Sequence, residues 1–181
     1  MAFAVTLLFD PDTASAIAAR WELLAAAGVS RSMLDLDYRP HVTLVVHDGP
    51  LQAGAAAALD DVFAEVDRTA VTLTGVATFG AGSGVCYAAL APSADLMRLQ
   101  ATTVSAVGGA CRPHYQPRNW TPHCTLATEI SDPEMERAKA LFDQDWQCLE
   151  GFFVMAELVE FVPVISLKCW SLPAARSIRM P

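Results

Sequence analysis

The feature that most constrains this chain is a five-residue pattern, Pro-His-x-Thr-Leu, which occurs twice with its histidines 82 positions apart. The first copy lies in YRPHVTL, residues 38–44, and the second lies in WTPHCTL, residues 120–126. Two pairs of prolines keep nearly the same offset, 81 and 83 positions: Pro11 with Pro92, and Pro50 with Pro133. The chain is therefore predicted to consist of two similar halves related by a pseudo-two-fold axis.

Each half is predicted to run strand, helix, strand, helix, strand, from the spacing of its apolar residues. The first half gives strand 2–9, helix 11–28, strand 41–47, helix 51–66 and strand 70–78. The second half gives strand 84–90, helix 92–109, strand 121–128, helix 133–145 and strands within 151–171. This order, with FGAGSG (residues 79–84) as a turn between the halves, favours an α+β fold with helices outside the sheets.

Four prolines indicate where the predicted helices start. An Asp-Pro pair is typical of a helix start, because the aspartate accepts from free N–H groups while proline lacks one. Four prolines are predicted to occupy the first turn of a helix: Pro11 after Asp10, Pro133 after Asp132, Pro50 and Pro92.

Length and composition set broad limits. With 181 residues and no low-complexity linker, the chain is predicted to form one domain with halves near 1–80 and 81–181. No apolar run approaches the roughly 20 residues that cross a bilayer, and the N-terminus lacks a signal-peptide pattern. Five cysteines without a CxxC pair are typical of reduced, mostly buried thiols. We expect a cytoplasmic monomer without a membrane partner.

The acidic balance limits the partners. A net charge of −8 and a pI near 4.8 argue against binding of long nucleic acid through its phosphates. A small phosphate ester or the tip of an RNA needs only a local set of donors, so such ligands remain open.

The repeated motif places an imidazole and a hydroxyl on one face of a strand. Side chains two positions apart share a face, about 6–7 Å apart, so His41 lies beside Thr43 and His123 beside Thr125. Two such strands across a cleft present two imidazoles and two hydroxyls to one phosphate. One neutral histidine activates a water, the other protonates the leaving oxygen, and the threonines hold the non-bridging oxygens. This chemistry requires no metal or other cofactor.

The chain resembles the 2H phosphoesterase superfamily, the LigT-like or 2′-5′ RNA ligase group, over nearly its whole length. The resemblance rests on the two motifs and on the segments RPHVTLVVHD, FGAGSGVCYAALAPS and WTPHCTLAT, which follow the family's order. The resemblance implies a bilobal fold of two pseudo-symmetric antiparallel-sheet lobes with outer helices and a central cleft. It also implies metal-independent cyclic phosphodiesterase activity, typically on 2′,3′-cyclic phosphates, and RNA-end ligation in some members. Carried onto this chain, it gives His41, Thr43, His123 and Thr125 as catalytic residues, with His123 as base and His41 as acid; the pseudo-symmetric motifs by themselves fit either assignment.

Residues near the motifs are candidates for binding substrate. The segment CRPHYQPRNW, residues 111–120, precedes the second motif and offers Tyr115, Arg118 and Trp120, with His114 as a weaker candidate. Arg39 follows Tyr38 at the matching place before the first motif. The difference between Arg39 and Thr121 indicates that the lobes bind different parts of the ligand.

Other polar residues receive structural interpretations. His47 is too far along the strand from His41 to share a metal with it, and is predicted to lie on the surface. Thr6 and Tyr87 are predicted either to line the cleft or to pack in the core. Glu157 and Glu160 are expected on opposite faces of a strand and do not form a catalytic pair.

Three functions stay open. The first is hydrolysis of a 2′,3′-cyclic phosphodiester on a nucleotide or short RNA end. The second is action on 2′-5′ linkages or on ADP-ribose cyclic phosphate, including ligation. The third is a non-catalytic module that binds nucleotides, against which the intact His and Thr of both motifs count.

Overall fold

A computed structural model describes residues 1–80, 84–109, 111–143, 146–161 and 163–174. The strands are β1 (Ala2–Phe9), β2 (His41–Asp48), β3 (Thr69–Phe79), β4 (Gly84–Leu90), β5 (His123–Ile130), β6 (Leu149–Phe161) and β7 (Ile165–Ser171). The α-helices are α1 (Pro11–Ala26), α2 (Ser32–Asp35), α3 (Ala55–Ala64), α4 (Ala94–Val107) and α5 (Asp132–Asp143). The predicted strands agree within two residues, whereas α2 and a 3₁₀ turn at Pro113–Tyr115 were not predicted. Residues 81–83 of the predicted turn at 79–84 lie outside the described residues.

The helix starts follow local side chains rather than proline alone. Asp10 caps α1 by accepting from the Thr13 N–H at 3.1 Å and from the Thr13 hydroxyl at 2.8 Å, with Pro11 in the first turn as predicted. At α5 the cap is Ser131, one residue earlier than predicted, because its N–H and hydroxyl both donate to Glu134 Oε2 at 2.7 Å.

The predictions for Pro50 and Pro92 are wrong. Ser93 caps α4, since its hydroxyl accepts from the Leu96 N–H at 3.1 Å, and Pro92 lies before the helix. Helix α3 begins later than predicted, after Gly54, whose φ of 89° lies in the left-handed region that favours glycine. Both helices therefore start where a cap or a turn ends, not at the nearest proline.

The seven strands form an antiparallel sheet in the order β2-β1-β6-β3-β4-β5, with β7 also paired to β6. The long strand β6 pairs with β1 along one edge. On its other edge, its first part pairs with β3 and its later part with β7. Two four-stranded parts therefore share β6: β2-β1-β6-β7 and β6-β3-β4-β5. The predicted α+β class with paired antiparallel lobes is confirmed.

The two parts of the sheet do not coincide with the two sequence halves. Strand β3 belongs to the first half but pairs with β4, and β6 belongs to the second half but pairs with β1. The boundary near residue 80 thus marks the sequence repeat, not the pairing of the strands. That the chain forms one domain stays a prediction.

The helices cover the outside of both parts. Helices α3 and α4 pack on each other and contact β7 and β2, while α1 and α5 contact strands of the other part. The inward face of α1 buries Ile17, Trp21 and Leu24, which lie at the helical spacing seen in the sequence. No helix among the described residues is long and apolar enough to span a membrane.

The ends of the sheet path, β2 and β5, contact each other. The Trp120 indole N–H donates to the Thr43 carbonyl at 3.0 Å, and the Trp21 indole N–H donates to the Thr125 carbonyl at 3.1 Å. Cys124, fully buried between the motif residues of β5, lies against the backbone of His41. The Trp120 bond and the Cys124 contact therefore hold the two motifs side by side, while the Trp21 bond holds β5 to α1.

Candidate active site

Each motif histidine is the first residue of its strand and has the same backbone partner. His41 Nδ1 lies 2.8 Å from the carbonyl oxygen of Arg39, and His123 Nδ1 lies 2.7 Å from the carbonyl oxygen of Thr121. A carbonyl oxygen only accepts, so Nδ1 carries the hydrogen in both rings. In a neutral ring, Nε2 is then left with a lone pair that accepts a proton; in an imidazolium, Nε2 donates one.

Burial shifts the titration of both rings. Loss of water around His41 lowers its pKa, the Arg39 carbonyl opposes that shift, the charge of His123 adds to it, and the carboxylate of Glu157 opposes it. Burial also lowers the pKa of His123; the Thr121 carbonyl opposes the shift and His114 adds to it. The two imidazoles are therefore both partly shielded from water but differ in the charged groups beside them.

The motif histidines and threonines line two adjoining compartments. His41 and Thr43 line a compartment of about 240 Å³, and His123 and Thr125 line one of about 580 Å³. Thr43 also hydrogen-bonds with the phenol of Tyr115. A separate open depression of about 620 Å³ between α3, α4 and β3 contains no histidine.

Arg112 and Tyr115 line both compartments and so mark where they meet. The Arg112 guanidinium is fixed by two hydrogen bonds to Asp48, from Nε at 2.9 Å and from Nη2 at 2.7 Å. The sequence pointed to the segment that contains Arg112 but did not select Arg112 as a candidate. No local signal selects it, because its anchor, Asp48, lies 64 positions away.

The Phe79 ring forms an aromatic wall of the larger compartment, and Tyr87, buried behind it, does not line the compartment. Phe79 stacks on Tyr87 with ring centroids 4.0 Å apart, and both rings meet the His123 imidazole edge-on at 5.1 and 5.3 Å. Such stacked faces bind flat, unsaturated ligands well. Thr6, by contrast, is buried on the wall of the smaller compartment.

A buried carboxylate lies behind the smaller compartment. Glu157 of β6 is only 2% exposed, and it accepts from the Tyr38 hydroxyl at 2.6 Å and from Arg39 Nη2 at 2.5 Å. The Tyr38 ring in turn packs on His41, with centroids 4.8 Å apart. Glu157 is buried because the side chains of Tyr38 and Arg39, together with Ser166 and Cys169 of β7, surround its carboxylate.

The candidate substrate-binding residues fall into two groups. Tyr115 lines both compartments, His114 lines the larger one, and Arg39 is bound to Glu157. Trp120 is 5% exposed and, like the exposed Arg118, is not among the residues that line the two compartments. The indole of Trp120 instead joins β2 to the second motif.

The prediction of a surface position for His47 is wrong. His47 is 9% exposed, because Cys111 forms a β-bridge with it and Gly109, after α4, packs on its ring. The cysteines are all free; Cys86, Cys111 and Cys124 are buried, whereas Cys148 and Cys169 are exposed. Among the described residues, no group of three or more His, Cys, Asp or Glu side chains is placed to hold a metal ion.

The sequence model of the 2′-5′ RNA ligase superfamily matches residues 10–158 of this chain, which include both motifs and all strands from β2 to β5. The chain belongs to the 2′-5′ RNA ligase superfamily. This confirms the resemblance to 2H phosphoesterases and indicates a function of the phosphodiesterase or ligase type. No curated protein sequence matches the chain.

Solved structures of the superfamily's fold match over almost the entire chain. Apo LigT of E. coli is 18% identical, with 96% of this chain and 98% of LigT covered and a TM-score of 0.56. TT0787 of Thermus thermophilus is 16% identical, with 97% and 100% covered and a TM-score of 0.59. Usb1 of Kluyveromyces marxianus is 11% identical, with 92% and 97% covered and a TM-score of 0.51. At these identities the likeness concerns the fold.

Proposed function

We propose that this member of the 2′-5′ RNA ligase superfamily is a metal-independent phosphodiesterase that hydrolyses 2′,3′-cyclic phosphodiesters of nucleotides or short RNA ends. The observation that carries the proposal is the matched pair of imidazoles. Each has Nδ1 on a backbone carbonyl, each is followed by a threonine on the same strand face, and the two line adjoining compartments. This arrangement suits one proton acceptor and one proton donor around a single phosphate.

The proposed reaction is an in-line displacement at phosphorus. A water oxygen attacks phosphorus while Nε2 of neutral His123 takes one proton from that water. The bond from phosphorus to one ribose oxygen breaks, and that oxygen takes the proton from Nε2 of the His41 imidazolium. The product is a phosphomonoester on the other ribose oxygen. One proton must then pass from His123 to His41, directly or through solvent, before the next cycle.

The threonines and the residues between the compartments are proposed to bind the phosphate. The hydroxyls of Thr43 and Thr125 hold the non-bridging oxygens, where negative charge increases in the transition state. Arg112, held in place by Asp48, adds a fixed positive charge at the junction. Tyr115 supports Thr43 through the hydrogen bond between their hydroxyls.

The size and lining of the compartments favour a small ligand. Their volumes of about 240 and 580 Å³ suit a nucleotide or an RNA end, and the Phe79–Tyr87 pair offers an aromatic face to a nucleobase. E. coli LigT has been crystallised with phosphate, with ATP and with NADP+, all of which are small ligands that contain phosphate. The net charge of −8 weighs against long RNA and against ligation of RNA ends.

The test is a substrate panel with product identification. Purified protein is incubated with EDTA and with the four nucleoside 2′,3′-cyclic monophosphates or an RNA ending in a cyclic phosphate. We expect conversion to phosphomonoesters. His41→Ala and His123→Ala each lower kcat by at least about a hundredfold, the lower range for loss of an acid or base. His47→Gln, a change in a histidine outside both compartments, serves as the matched control.

Other outcomes select the other functions. Turnover of 2′-5′ oligonucleotides or ADP-ribose cyclic phosphate, without turnover of the nucleoside cyclic phosphates, identifies the alternative substrate class. Nucleotide binding without turnover of any member identifies a binding module. Full activity of either histidine-to-alanine variant contradicts two-histidine catalysis.

A further inference from the structure

The two motif histidines have equivalent backbone partners but different second neighbours. The residue two positions before each histidine accepts from its Nδ1: Arg39 for His41 and Thr121 for His123. Thr121 bears no charge, whereas the Arg39 side chain turns back to bind Glu157. The two motifs therefore differ in the residues that support the imidazoles: Arg39 with Glu157 at His41, and Thr121 at His123.

Glu157 holds both residues that position the His41 ring. Its Oε1 accepts from Arg39, whose carbonyl fixes His41 Nδ1, and its Oε2 accepts from Tyr38, whose ring packs on the imidazole. Thr6 adds a third contact, 2.9 Å from the Tyr38 hydroxyl. The partner of Arg39 on β6 lies 118 positions away, so the link joins the first motif to the strand shared by both parts of the sheet.

The chemistry proposed above needs one imidazole to be charged, yet burial favours the neutral form of both rings. The negative charge of Glu157 acts in the opposite direction and raises the pKa of His41. The side chain whose charge acts on His123 is His114, which lowers its pKa. The charge of His123 also lowers the pKa of His41, so Glu157 supplies the His41 ring with a counter-charge that the His123 ring lacks.

We propose that Glu157 is a positioning residue that distinguishes the two imidazoles and keeps His41 in the role of general acid. The proposal rests on the two-histidine function proposed above and deepens it. Glu157 does not touch the reacting atoms; it acts through Tyr38 and Arg39 and through its charge.

The groups that face Glu157 are consistent with a carboxylate in this position. From the segment before β2 come the Arg39 cation and the Tyr38 hydroxyl, and from β7 come the Cys169 thiol at 3.3 Å and the Ser166 hydroxyl at 3.5 Å. Burial and the neighbouring carboxylate raise the pKa of Tyr38, so the phenol stays protonated and donates. The charged or titratable groups beside His41 include His123, Glu157 and Tyr38, with the Arg39 cation paired to Glu157. Arg112 and Tyr115 line the same compartment.

The first test follows each imidazole by NMR through a pH titration and needs no turnover. Ring-proton signals are assigned by their loss in His41→Ala and His123→Ala. In Glu157→Gln, which keeps the shape and an acceptor but removes the charge, we expect the pKa of His41 to fall by about one unit. The pKa of His123 stays within a small fraction of that change. Glu160→Gln, the same change on the opposite face of β6, is the matched control and leaves both titrations unchanged.

The second test is the pH dependence of kcat/KM. Activity requires neutral His123 and charged His41, so the alkaline limb of the profile reports His41. In Glu157→Gln the alkaline limb moves to lower pH, and kcat/KM on that limb falls about tenfold for a shift of one unit. The acid limb, which reports His123, keeps its position. A general loss of structure lowers activity at every pH and does not move one limb alone.

Several results overturn the proposal. An unchanged His41 titration in Glu157→Gln contradicts it, and so does an equal shift of both histidines. Should Glu157→Gln fail to fold, the titration of the unchanged protein decides, since His41 must titrate at a higher pH than His123. If the protein turns over no substrate but His41 still shifts, the proposed function fails and the effect of Glu157 stands. If the protein turns over a substrate but the pKa of His41 does not shift in Glu157→Gln, the proposed function stands and the proposed role of Glu157 fails.

Discussion

At the scale of single residues, the backbone just before each histidine determines which ring nitrogen carries the hydrogen. The carbonyls of Arg39 and Thr121 accept from Nδ1, so the tautomer follows from two residues of local sequence. What local sequence does not determine is the charge on the ring, because burial and distant side chains act on it. The motif therefore provides two equivalent imidazoles, and the surrounding fold makes them different.

Burial of the two imidazoles has a consequence for stability at low pH. Because burial lowers the pKa of both rings, the unfolded chain binds protons more readily than the folded chain does. We expect the free energy of unfolding to fall as pH decreases below about 6.5, by up to about 1.4 kcal/mol for each unit of pKa lowering at each histidine. Urea unfolding at a series of pH values measures this loss.

The control for that series is the double variant His41→Ala, His123→Ala. Without the two buried imidazoles, the loss of stability between pH 7 and pH 5 becomes smaller. An identical pH dependence in the double variant and the unchanged protein contradicts the assignment of the effect to these rings.

Arg112 is expected to matter for binding rather than for proton transfer. Arg112→Met removes the fixed charge at the junction of the compartments, and we expect kcat/KM to fall by about tenfold to a hundredfold, the range for a hydrogen bond to a charged group. The two limbs of the pH profile keep their positions, because the charges that act on the pKa values of the two histidines are those of Glu157, His123 and His114. Steady-state kinetics at several pH values provides the measurement.

Arg98→Met is the matched control for Arg112→Met, since Arg98 forms an exposed ion pair with Asp95 on α4, and such pairs contribute little. It leaves kcat/KM unchanged. Equal kinetics for Arg112→Met and Arg98→Met contradicts a role of Arg112 in the site.

At the scale of elements, two indole hydrogen bonds hold the strands that carry the motifs: Trp120 joins the start of β5 to β2, and Trp21 joins α1 to β5. Trp120→Phe keeps an aromatic ring in the buried position but leaves the Thr43 carbonyl without its donor at 3.0 Å. We expect it to lower the free energy of unfolding by about 1–3 kcal/mol, and Trp21→Phe to do the same at Thr125. Thermal or urea unfolding measures both changes.

Trp146 offers a comparison for these two tryptophans. Its indole nitrogen is buried and has no hydrogen-bond partner among the described residues, so Trp146→Phe removes no such bond. We expect a smaller loss of stability than at Trp120 or Trp21. A loss at Trp146 as large as at Trp120 assigns the effect to ring volume instead of to the link between the strands.

The elements themselves were largely predictable. Short runs rich in apolar residues predicted β1, β2 and β4 with bounds that agree with the structure to within one residue, and the helical spacing of α1 predicted its buried face. The starts of α3 and α4 were not predicted, because proline marked the helices in the sequence while Gly54 and Ser93 start them in the structure. The competing signal was a turn residue or a cap within four positions of each proline.

At the scale of the whole molecule, the repeat predicted two related halves but not the exchange of strands between them. The pairing of β3 with β4 and of β6 with β1 joins parts of the two halves, and local sequence patterns do not predict such pairings. The same reason separates the parts of the site. Both His-x-Thr motifs were visible in the sequence, whereas Glu157 and Asp48 act on residues 118 and 64 positions away.

The strand that both parts of the sheet share also bears on how the protein unfolds. Because β6 pairs with β1, β3 and β7, neither part keeps its complete set of strands once β6 detaches. A local opening at β6 thus removes the wall behind His41 and the support of β3 beside the aromatic wall together. The two compartments are in this sense one cooperative unit, which gains or loses its structure as a whole.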